Sequence, residues 1–418
     1  MNIKSILFAA IAMGAALPSI NGGFVCSLSS MAAAADPSAF ANARTTSGDT
    51  AVPVFNYGAM TFKKPATPEQ IAEAKAKVKN VGSTVLRFVD GVDDATIAAA
   101  IYQMPDVREV KIDGKRGGVK TLAPLALLKN AKTLDINNVD VSDLSPLAGL
   151  PKVERLLLRY CKLQDLSPVA TLPNVKEVDC YGATVTSFAP LAALPKLEKI
   201  CYYAVKGDQA TFDTLGALKQ VKKFHGGLTK MTSLEWCRNV PQMEELRVFA
   251  EKIDDFSPIS ALPNLKYFRS WQMKTSGTPD LSFLANCKQL ERLELPGNVY
   301  ANLAVIGTLT TLTQVDVSDW PGTVDLSFVK SLPNLDTLVV TGGRRSGEVQ
   351  NFEALAGHPA LKNVALRNAK GVKSLECLKT CPKLKSVTVK KGAFSDEEIA
   401  ALTAAMKAQN KYSKVSAY

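Results

Sequence analysis

The amino-acid sequence predicts an α/β solenoid, a stack of similar coils with a parallel β-sheet along one side and a helix at each end. The first observation behind this prediction is a recurring phrase, which reads LSPLAGLPKVERL from Leu144, LSPVATLPNVKEV from Leu166 and FAPLAALPKLEKI from Phe188. The second is its spacing, because thirteen copies follow one another at intervals of 22 to 26 residues. So tight a period is typical of proteins whose repeats stack and share one core.

Each copy combines a short strand with a bent return segment. In the copy from Val153 to Leu172, Leu156 and Leu158 lie two residues apart, as expected for a strand with one buried face. The hydrophobic residues that follow are more widely spaced, and Pro168 interrupts any regular α-helix, so a turn and a 3₁₀ return are expected. One coil cannot bury its own apolar side, and the coils must therefore stack in parallel.

Both ends of the stack carry helix signals. Thr67 and Gln70 occupy the N-cap and N3 positions of a capping box, and Leu86 and Phe88 follow as a degenerate first coil. A second signal at Ser395 begins a C-terminal helix, and such helices would shield the open ends of the core. The predicted parts of the chain are a signal peptide (1–35), a flexible leader (36–64), an N-terminal cap with a degenerate first repeat (65–103), about thirteen repeats (104–392) and a C-terminal helical cap (393–418).

The first residues have the pattern of an export signal. A basic start, MNIK, precedes an apolar run at residues 6–17, and Ala35 ends a small-residue cleavage motif, with Ala16 and Ala43 as alternative sites. Pro18 interrupts the apolar run too early for a membrane-spanning helix. The sequence therefore predicts an extracytoplasmic protein (periplasmic, cell-surface or secreted) with no stable membrane insertion after the signal is removed.

The repeat resembles the 22-residue leucine-rich repeats of bacterial internalins, as the copies LPKVERLLLRYCKLQDLSPVATL and VPQMEELRVFAEKIDDFSPISAL illustrate. The resemblance covers residues 104–391. It implies a leucine-rich-repeat horseshoe with a parallel concave β-sheet, and a role in binding other macromolecules, without naming the ligand. The chain departs from the family at the position after the strand, where an Asn ladder is usual. Residues found there instead include Val139, Cys161, Ala183, Glu251, Met273 and Ala369.

Eight cysteines in an exported chain would usually suggest a disulfide framework, but their place in the repeat argues against one. Their positions are inward on strands, at the buried turn or at the coil edge. We predict that five of them are reduced core residues, namely Cys161, Cys180, Cys237, Cys287 and Cys381. A pair between Cys377 and Cys381 remains an open alternative.

Outward strand positions form three columns across the concave sheet. The third column groups four aromatic residues within five coils, interrupted only by Gly227, and arginines lie beside them. Exposed aromatic and Arg side chains anchor protein interfaces or stack on sugar rings. The alternative is that the caps or a loop cover these rings. The predicted ligand-binding residues are Tyr181, Tyr203, Arg247, Phe249, Tyr267, Arg269, Trp271 and Arg292.

The charge distribution argues against nucleic acid as a partner. The chain carries a net charge of +11, yet the three columns hold ten basic and eight acidic residues. Most of the excess therefore lies on loops and on the convex side, as in GKRGG at Gly114 and GGRRSG at Gly342. A nucleic-acid groove would concentrate positive charge along its binding track, so none is expected here.

The sequence offers no convincing catalytic or metal site. The middle column places Asp179, Cys201 and His225 on consecutive coils, but Cys lies between the other two, and Arg247 follows His225 where a triad needs a carboxylate. A flat sheet face also lacks the fourth ligand of a zinc site. We therefore predict no catalytic residue, no metal and no cofactor.

Two functions fit these observations. The first is a non-enzymatic exported binding protein that recognises a protein or a glycan through its concave face. The second is a structural or assembly component of the cell envelope that docks a fixed partner subunit. A ligand captured from extracts would favour the first, and a stable stoichiometric complex the second.

Overall fold

The structure is a computed structural model that describes residues 53–56, 58–89, 91–114, 118–228, 230–249, 252–271, 278–297, 300–320, 322–340, 348–366 and 370–417. The predicted signal peptide and the leader up to residue 52 lie outside this part of the chain, as do the turn positions Glu251, Met273 and Ala369.

Strands and short helices alternate along the described residues. The strands are β1 Val54–Asn56, β2 Ala59–Phe62, β3 Val85–Phe88, β4 Glu109–Asp113, β5 Thr133–Asn137, β6 Arg155–Arg159, β7 Lys162–Leu163, β8 Glu177–Asp179, β9 Thr184–Val185, β10 Lys199–Tyr203, β11 Lys223–Gly227, β12 Glu245–Phe249, β13 Tyr267–Ser270, β14 Arg292–Glu294, β15 Gln314–Asp316, β16 Val324–Asp325, β17 Thr337–Val339, β18 Val349–Gln350, β19 Asn363–Leu366, β20 Ser386–Val389 and β21 Lys414–Ala417. The α-helices are α1 Pro68–Ala76, α2 Asp94–Gln103, α3 Gln209–Asp213 and α4 Asp396–Gln409.

The return segments between strands are mostly 3₁₀ helices. Ser167–Thr171 carries Pro168 at its second position, but segments without proline, such as Glu235–Asn239, are 3₁₀ helices as well. The others are Val81–Ser83, Ala123–Leu127, Ser145–Leu147, Ala189–Ala193, Thr214–Ala217, Glu235–Asn239, Ser257–Ala261, Leu281–Asn286, Leu303–Thr308, Leu326–Ser331, Phe352–Leu355 and Glu376–Thr380.

Among the described residues, seventeen strands form one sheet, in which only β1 pairs antiparallel to its neighbour. The thirteen predicted repeats supply the strands from β4 to β20, without the two short pairs β7–β9 and β16–β18. The register follows the repeat, because Leu134, Leu156 and Val178 are successive partners. All three are fully buried in one continuous core, so the predicted α/β solenoid is confirmed.

Backbone groups replace the missing Asn ladder at the turn after several strands. At these turns one residue adopts a left-handed conformation and its N–H donates to a carbonyl of the next coil. Tyr160, for example, has φ 55° and donates to Tyr181 O at 2.7 Å. The turn is therefore satisfied by the main chain, whatever side chain follows. Other non-glycine residues in this conformation are Asn138, Ala204, Leu228 and Asp319.

A row of alternating charge runs along the edge of the sheet where the strands begin. Eight residues make up this row, and we call them the charge row. Each immediately precedes one of the main-sheet strands β5, β6, β8 and β10 to β14. Glu154 pairs with Lys132 at 3.2 Å and with Lys176 at 2.9 Å, so it links three coils. Glu244 does the same with its two lysine neighbours at 2.9 and 3.1 Å. The members are Lys132, Glu154, Lys176, Glu198, Lys222, Glu244, Lys266 and Glu291.

The N-terminal end begins earlier than the sequence predicts. The Thr67 capping box is present, and β3 pairs with β4 one period away, as expected. However, β1 and β2 form a hairpin within residues 54–62, which were assigned to the flexible leader. The hairpin packs because β2 pairs with β3 and buries Met60 and Phe62. Two strands of three and four residues are too short to give a clear periodic signal.

The C-terminal end is a further coil that closes with a strand. Ser395 caps α4 as predicted, and the helix buries Leu402 and Met406. The sequence prediction of a helix alone at this end was incomplete, because β21 follows α4 and pairs parallel to β20. Helix α4 is therefore a crossover between two strands of the sheet.

The predicted core cysteines are buried, between 0% and 2% exposed. Burial raises the pKa of the Cys161 thiol to about 11 and that of Cys287 to about 12. Cys377 and Cys381 are both free thiols, so the alternative pairing is not formed.

Candidate ligand-binding site

The strand register places the predicted site residues as the repeat requires. Cys201, His225, Arg247, Arg269 and Glu294 are successive partners across β10 to β14. Their neighbours along each strand, such as Leu246 and Val248, point into the core. The opposite side of the sheet, here called the open face, is the side predicted to be concave.

Tyr267 is enclosed between two arginines. The guanidinium carbon of Arg247 lies 4.8 Å from the centre of the Tyr267 ring, and that of Arg292 lies 4.5 Å from it. Burial raises the pKa of Tyr267 to about 12. Because both faces of the ring are occupied, Tyr267 holds the two arginines in place and offers little stacking surface of its own.

Trp271 forms the second stacked group. The guanidinium carbon of Arg269 lies 4.7 Å from the centre of the Trp271 ring. Phe249 meets the same ring edge-on, with centroids 5.6 Å apart and planes at 90°. Phe249 is only 7% exposed, whereas Trp271 is partly exposed. Trp271 is therefore the aromatic surface of this pair that a ligand can reach.

Each arginine is also paired with a glutamate. Glu245 accepts from Arg247 Nε at 2.7 Å, and burial, which alone would raise its pKa, is outweighed by His225 and Arg247, so that the pKa of Glu245 falls to about 2. Glu294 pairs with Arg269 at 3.2 Å and accepts from Arg292 Nε at 2.6 Å. Each guanidinium group thus has a carboxylate partner within the protein, and Arg269 and Arg292 share theirs.

Glycine makes room for this packing at the centre of the face. A Cβ atom on Gly227 would lie 2.1 Å from Phe249 Cβ, so no larger residue fits there without a shift. Tyr203 lies on β10, directly opposite Gly227 of β11, and Phe249 lies opposite Gly227 on the other side. We call the arginine–aromatic cluster the set Tyr203, Arg247, Phe249, Tyr267, Arg269, Trp271 and Arg292.

Tyr181, the eighth predicted residue, belongs to a different pair. Its ring meets that of Tyr160 at 5.2 Å in a T-shaped arrangement. Tyr160 was missed by the sequence reasoning because it occupies the turn, outside the strand columns, and it is 39% exposed. The structure therefore gathers seven of the eight predicted residues and leaves Tyr181 outside the cluster.

A second acidic residue lies beside the cluster. Asp316 is the strand partner of Glu294, and Ser318 N donates to its carboxylate at 2.8 Å. Burial and the charge of Glu294 raise the pKa of Asp316 to about 6. When it is deprotonated, Asp316 therefore supplies a third carboxylate charge, beside Glu245 and Glu294, against the three guanidinium groups of Arg247, Arg269 and Arg292.

The Asp179, Cys201 and His225 row is not arranged for catalysis. Cys201 and His225 are each 1% exposed, so a substrate cannot reach them in this conformation. Asp179 accepts from Arg159 Nε at 2.9 Å. Burial lowers the pKa of His225 to about 4, and its Nε2 lies 3.0 Å from Glu245. Within the described ranges, no group of three or more His, Cys, Asp or Glu side chains could hold a metal ion.

Comparison with known proteins supports the fold. No family model and no curated protein matches the sequence. An internalin (inlF) from Listeria monocytogenes is 18% identical, with a TM-score of 0.54, over 71% of this chain and 83% of that one. A leucine-rich-repeat protein from Leptospira interrogans is 13% identical, with a TM-score of 0.56, over 85% and 100%. TLR13 in its complex with ssRNA13 is 17% identical, with a TM-score of 0.53, over 79% and 49%.

These likenesses and the repeat register define a leucine-rich-repeat solenoid protein. The predicted resemblance to bacterial internalins is confirmed at the level of the fold. None of the helices in the described part of the chain is long and apolar enough to cross a membrane.

Proposed function

We propose that this chain is a non-enzymatic, exported binding protein that holds a protein partner through the arginine–aromatic cluster on its open face. The observation that carries the proposal is the concentration of partly exposed Trp, Tyr and Arg side chains on one side of the sheet between strands β10 and β14. These residue types dominate the binding energy of protein interfaces.

The rigidity of the cluster supports the proposal. Stacking and ion pairs fix the side chains of Arg247, Arg269 and Arg292 before any ligand arrives. A surface that is already ordered loses less conformational entropy when it binds. Core packing does not require this network, because it lies on the face opposite the hydrophobic core.

Affinity capture with matched variants tests the proposal. The mature chain would be immobilised and exposed to an extract of the producing cells, with Trp271→Ala and Tyr412→Ala as parallel baits. Tyr412 is 80% exposed and lies in the last coil, so it controls for the loss of an accessible aromatic ring. A specific protein should be retained by the wild type and by Tyr412→Ala, and lost from Trp271→Ala.

The same capture separates the alternatives. A protein that Trp271→Ala retains normally would contradict the proposed site. Capture of glycan alone would replace the protein partner with a saccharide. A partner that already co-purifies with the chain at fixed stoichiometry would favour the structural role in the envelope.

A further inference from the structure

We infer that the partner presents an uncharged, apolar peptide segment to the arginine–aromatic cluster, and not a carboxylate or a phosphate. This inference rests on the proposed function and specifies the chemistry of its partner. It reverses the simple expectation that three arginines on one surface mark a site for anions.

The pairing of the arginines is the first step of the argument. Arg247 is bound to Glu245, and Arg269 and Arg292 share Glu294, which is 5% exposed. An anionic ligand could pair with these arginines only by displacing one of the carboxylates. The displaced carboxylate would remain in a poorly hydrated position, so the exchange brings no net gain.

The surface that remains accessible is the second step. Trp271 is partly exposed, and Arg292 keeps 42% of its side chain in solvent while its guanidinium stacks on Tyr267. A planar indole and stacked guanidinium groups favour contact with aliphatic or aromatic side chains, because each guanidinium group already has a carboxylate partner and apolar area is available. Neutral main-chain carbonyls of a peptide can accept the remaining N–H groups.

Lys223 provides an internal contrast. This exposed lysine on β11 precedes the cluster in the first column, and the described residues show no ion pair for it. It is therefore the cation that an acidic partner on this face would use. If the partner presents an uncharged, apolar segment, Lys223 should contribute little to the binding affinity. If the partner is acidic, Lys223 should contribute much.

A phage-displayed library of random peptides tests the inference with the full mature chain as target. Recovered peptides would be synthesised, and their affinity measured for the wild type, Trp271→Ala and Lys223→Ala at low and high salt. We expect peptides rich in aliphatic and aromatic residues, an affinity loss of at least about tenfold in Trp271→Ala, and less than about threefold change with Lys223→Ala or with salt.

The other outcomes are distinct. Peptides rich in Asp and Glu that lose affinity in Lys223→Ala and at high salt, yet still require Trp271, would overturn the inference and leave the proposed function standing. Single-stranded oligouridine that binds the wild type and requires Trp271 would assign a nucleic-acid ligand and also overturn it. Failure to recover any peptide that requires Trp271 would count against both the inference and the proposed function.

Discussion

Arg269 and Glu294 face each other across strands β13 and β14, with Nη1 of the arginine 3.2 Å from Oε2 of the glutamate. The same carboxylate also holds Arg292, so one glutamate fixes two guanidinium groups that stack on different rings. The positions of Arg269 and Arg292 therefore depend on a side chain that no ligand needs to touch.

Replacement of this carboxylate should destabilise the fold. Glu294→Gln leaves Arg269 without its charge partner in a mostly buried position. We expect the free energy of unfolding to fall by about 1–3 kcal/mol, a range reduced because Arg292 is well exposed and solvent screens its ion pair. Urea denaturation monitored by circular dichroism measures the change. Glu235→Gln removes an exposed pair with Arg238 and should cost less than about 0.5 kcal/mol. Equal losses for the two variants would refute a special role for Glu294.

Stability should depend on pH through His225. Burial lowers the pKa of His225 from 6.5 to about 4 in the folded protein, so between these values the unfolded chain binds a proton that the folded chain does not. Stability therefore falls as the pH falls through this window, by about 3 kcal/mol at most. The free energy of unfolding, measured with urea at several pH values between 4.5 and 7.5, should rise less with pH in His225→Gln than in the wild type.

The control for this experiment is Asp316, whose titration changes stability with pH in the opposite direction. The pKa of Asp316 is raised from 3.8 to about 6, so the folded chain binds the extra proton and stability falls as the pH rises through that window. Because the two windows overlap between about pH 4 and 6, Asp316→Asn should make stability rise more steeply with pH than in the wild type, and His225→Gln should reduce or reverse that rise. A His225→Gln variant whose slope matches that of the wild type would show that the imidazole does not titrate as its burial requires.

Gly227 should tolerate no larger side chain. In Gly227→Ala the added Cβ would clash with Phe249 Cβ and with the main chain of Phe249. Either β12 must shift or the cluster must open, and we expect the free energy of unfolding to fall by about 2–4 kcal/mol. Gly307→Ala adds the same atom at ordinary contact distance, 3.4 Å from the nearest neighbour, and should change stability by less than about 1 kcal/mol. Thermal unfolding of both variants would decide, and similar melting temperatures would contradict the packing described here.

Reversal of one charge should disturb three coils of the charge row. Glu154→Lys places a third lysine between Lys132 and Lys176, so two ion pairs become repulsions, and we expect a loss of about 1–2 kcal/mol at low ionic strength. The loss should shrink at high salt because these groups are partly exposed. Denaturation at two salt concentrations measures both effects, and a salt-independent loss would point to packing instead of charge.

Export should be visible in the N-terminus of the purified protein. The cleavage motif predicts that the mature chain begins at Asp36, and Ala16 and Ala43 define the alternative sites. Edman sequencing of protein from the extracytoplasmic fraction identifies the first residue. Protein that keeps Met1 and stays in the cytosolic fraction would disprove export.

The repeat made most of the fold predictable. The spacing of Leu156 and Leu158 indicates which strand positions are buried, and the register of the columns follows from the length of the repeat. The hairpin of β1 and β2 and the final strand β21 lie outside the repeat and were missed, because short strands without periodic neighbours give no such signal.

The site was predictable as a location but not as a network. Alternation along the strands placed Arg247, Arg269 and Trp271 on one face. Which side chains pair with one another depends on side-chain conformations, and the sequence alone did not indicate that Glu245 and Glu294 pair with the arginines. The exposure of Tyr160 depends on the left-handed turn, which a count of strand positions does not include.

The charge row also constrains how such a chain can grow. Loss of one coil, for example residues 151–172, removes Glu154 and brings Lys132 beside Lys176, whereas loss of two coils, residues 151–194, leaves Lys132 beside Glu198. The same parity governs duplication within this stretch, since only an even number of added coils keeps opposite charges adjacent. The segment that can be duplicated here without placing like charges side by side is therefore a pair of coils, twice the length of the repeat seen in the sequence.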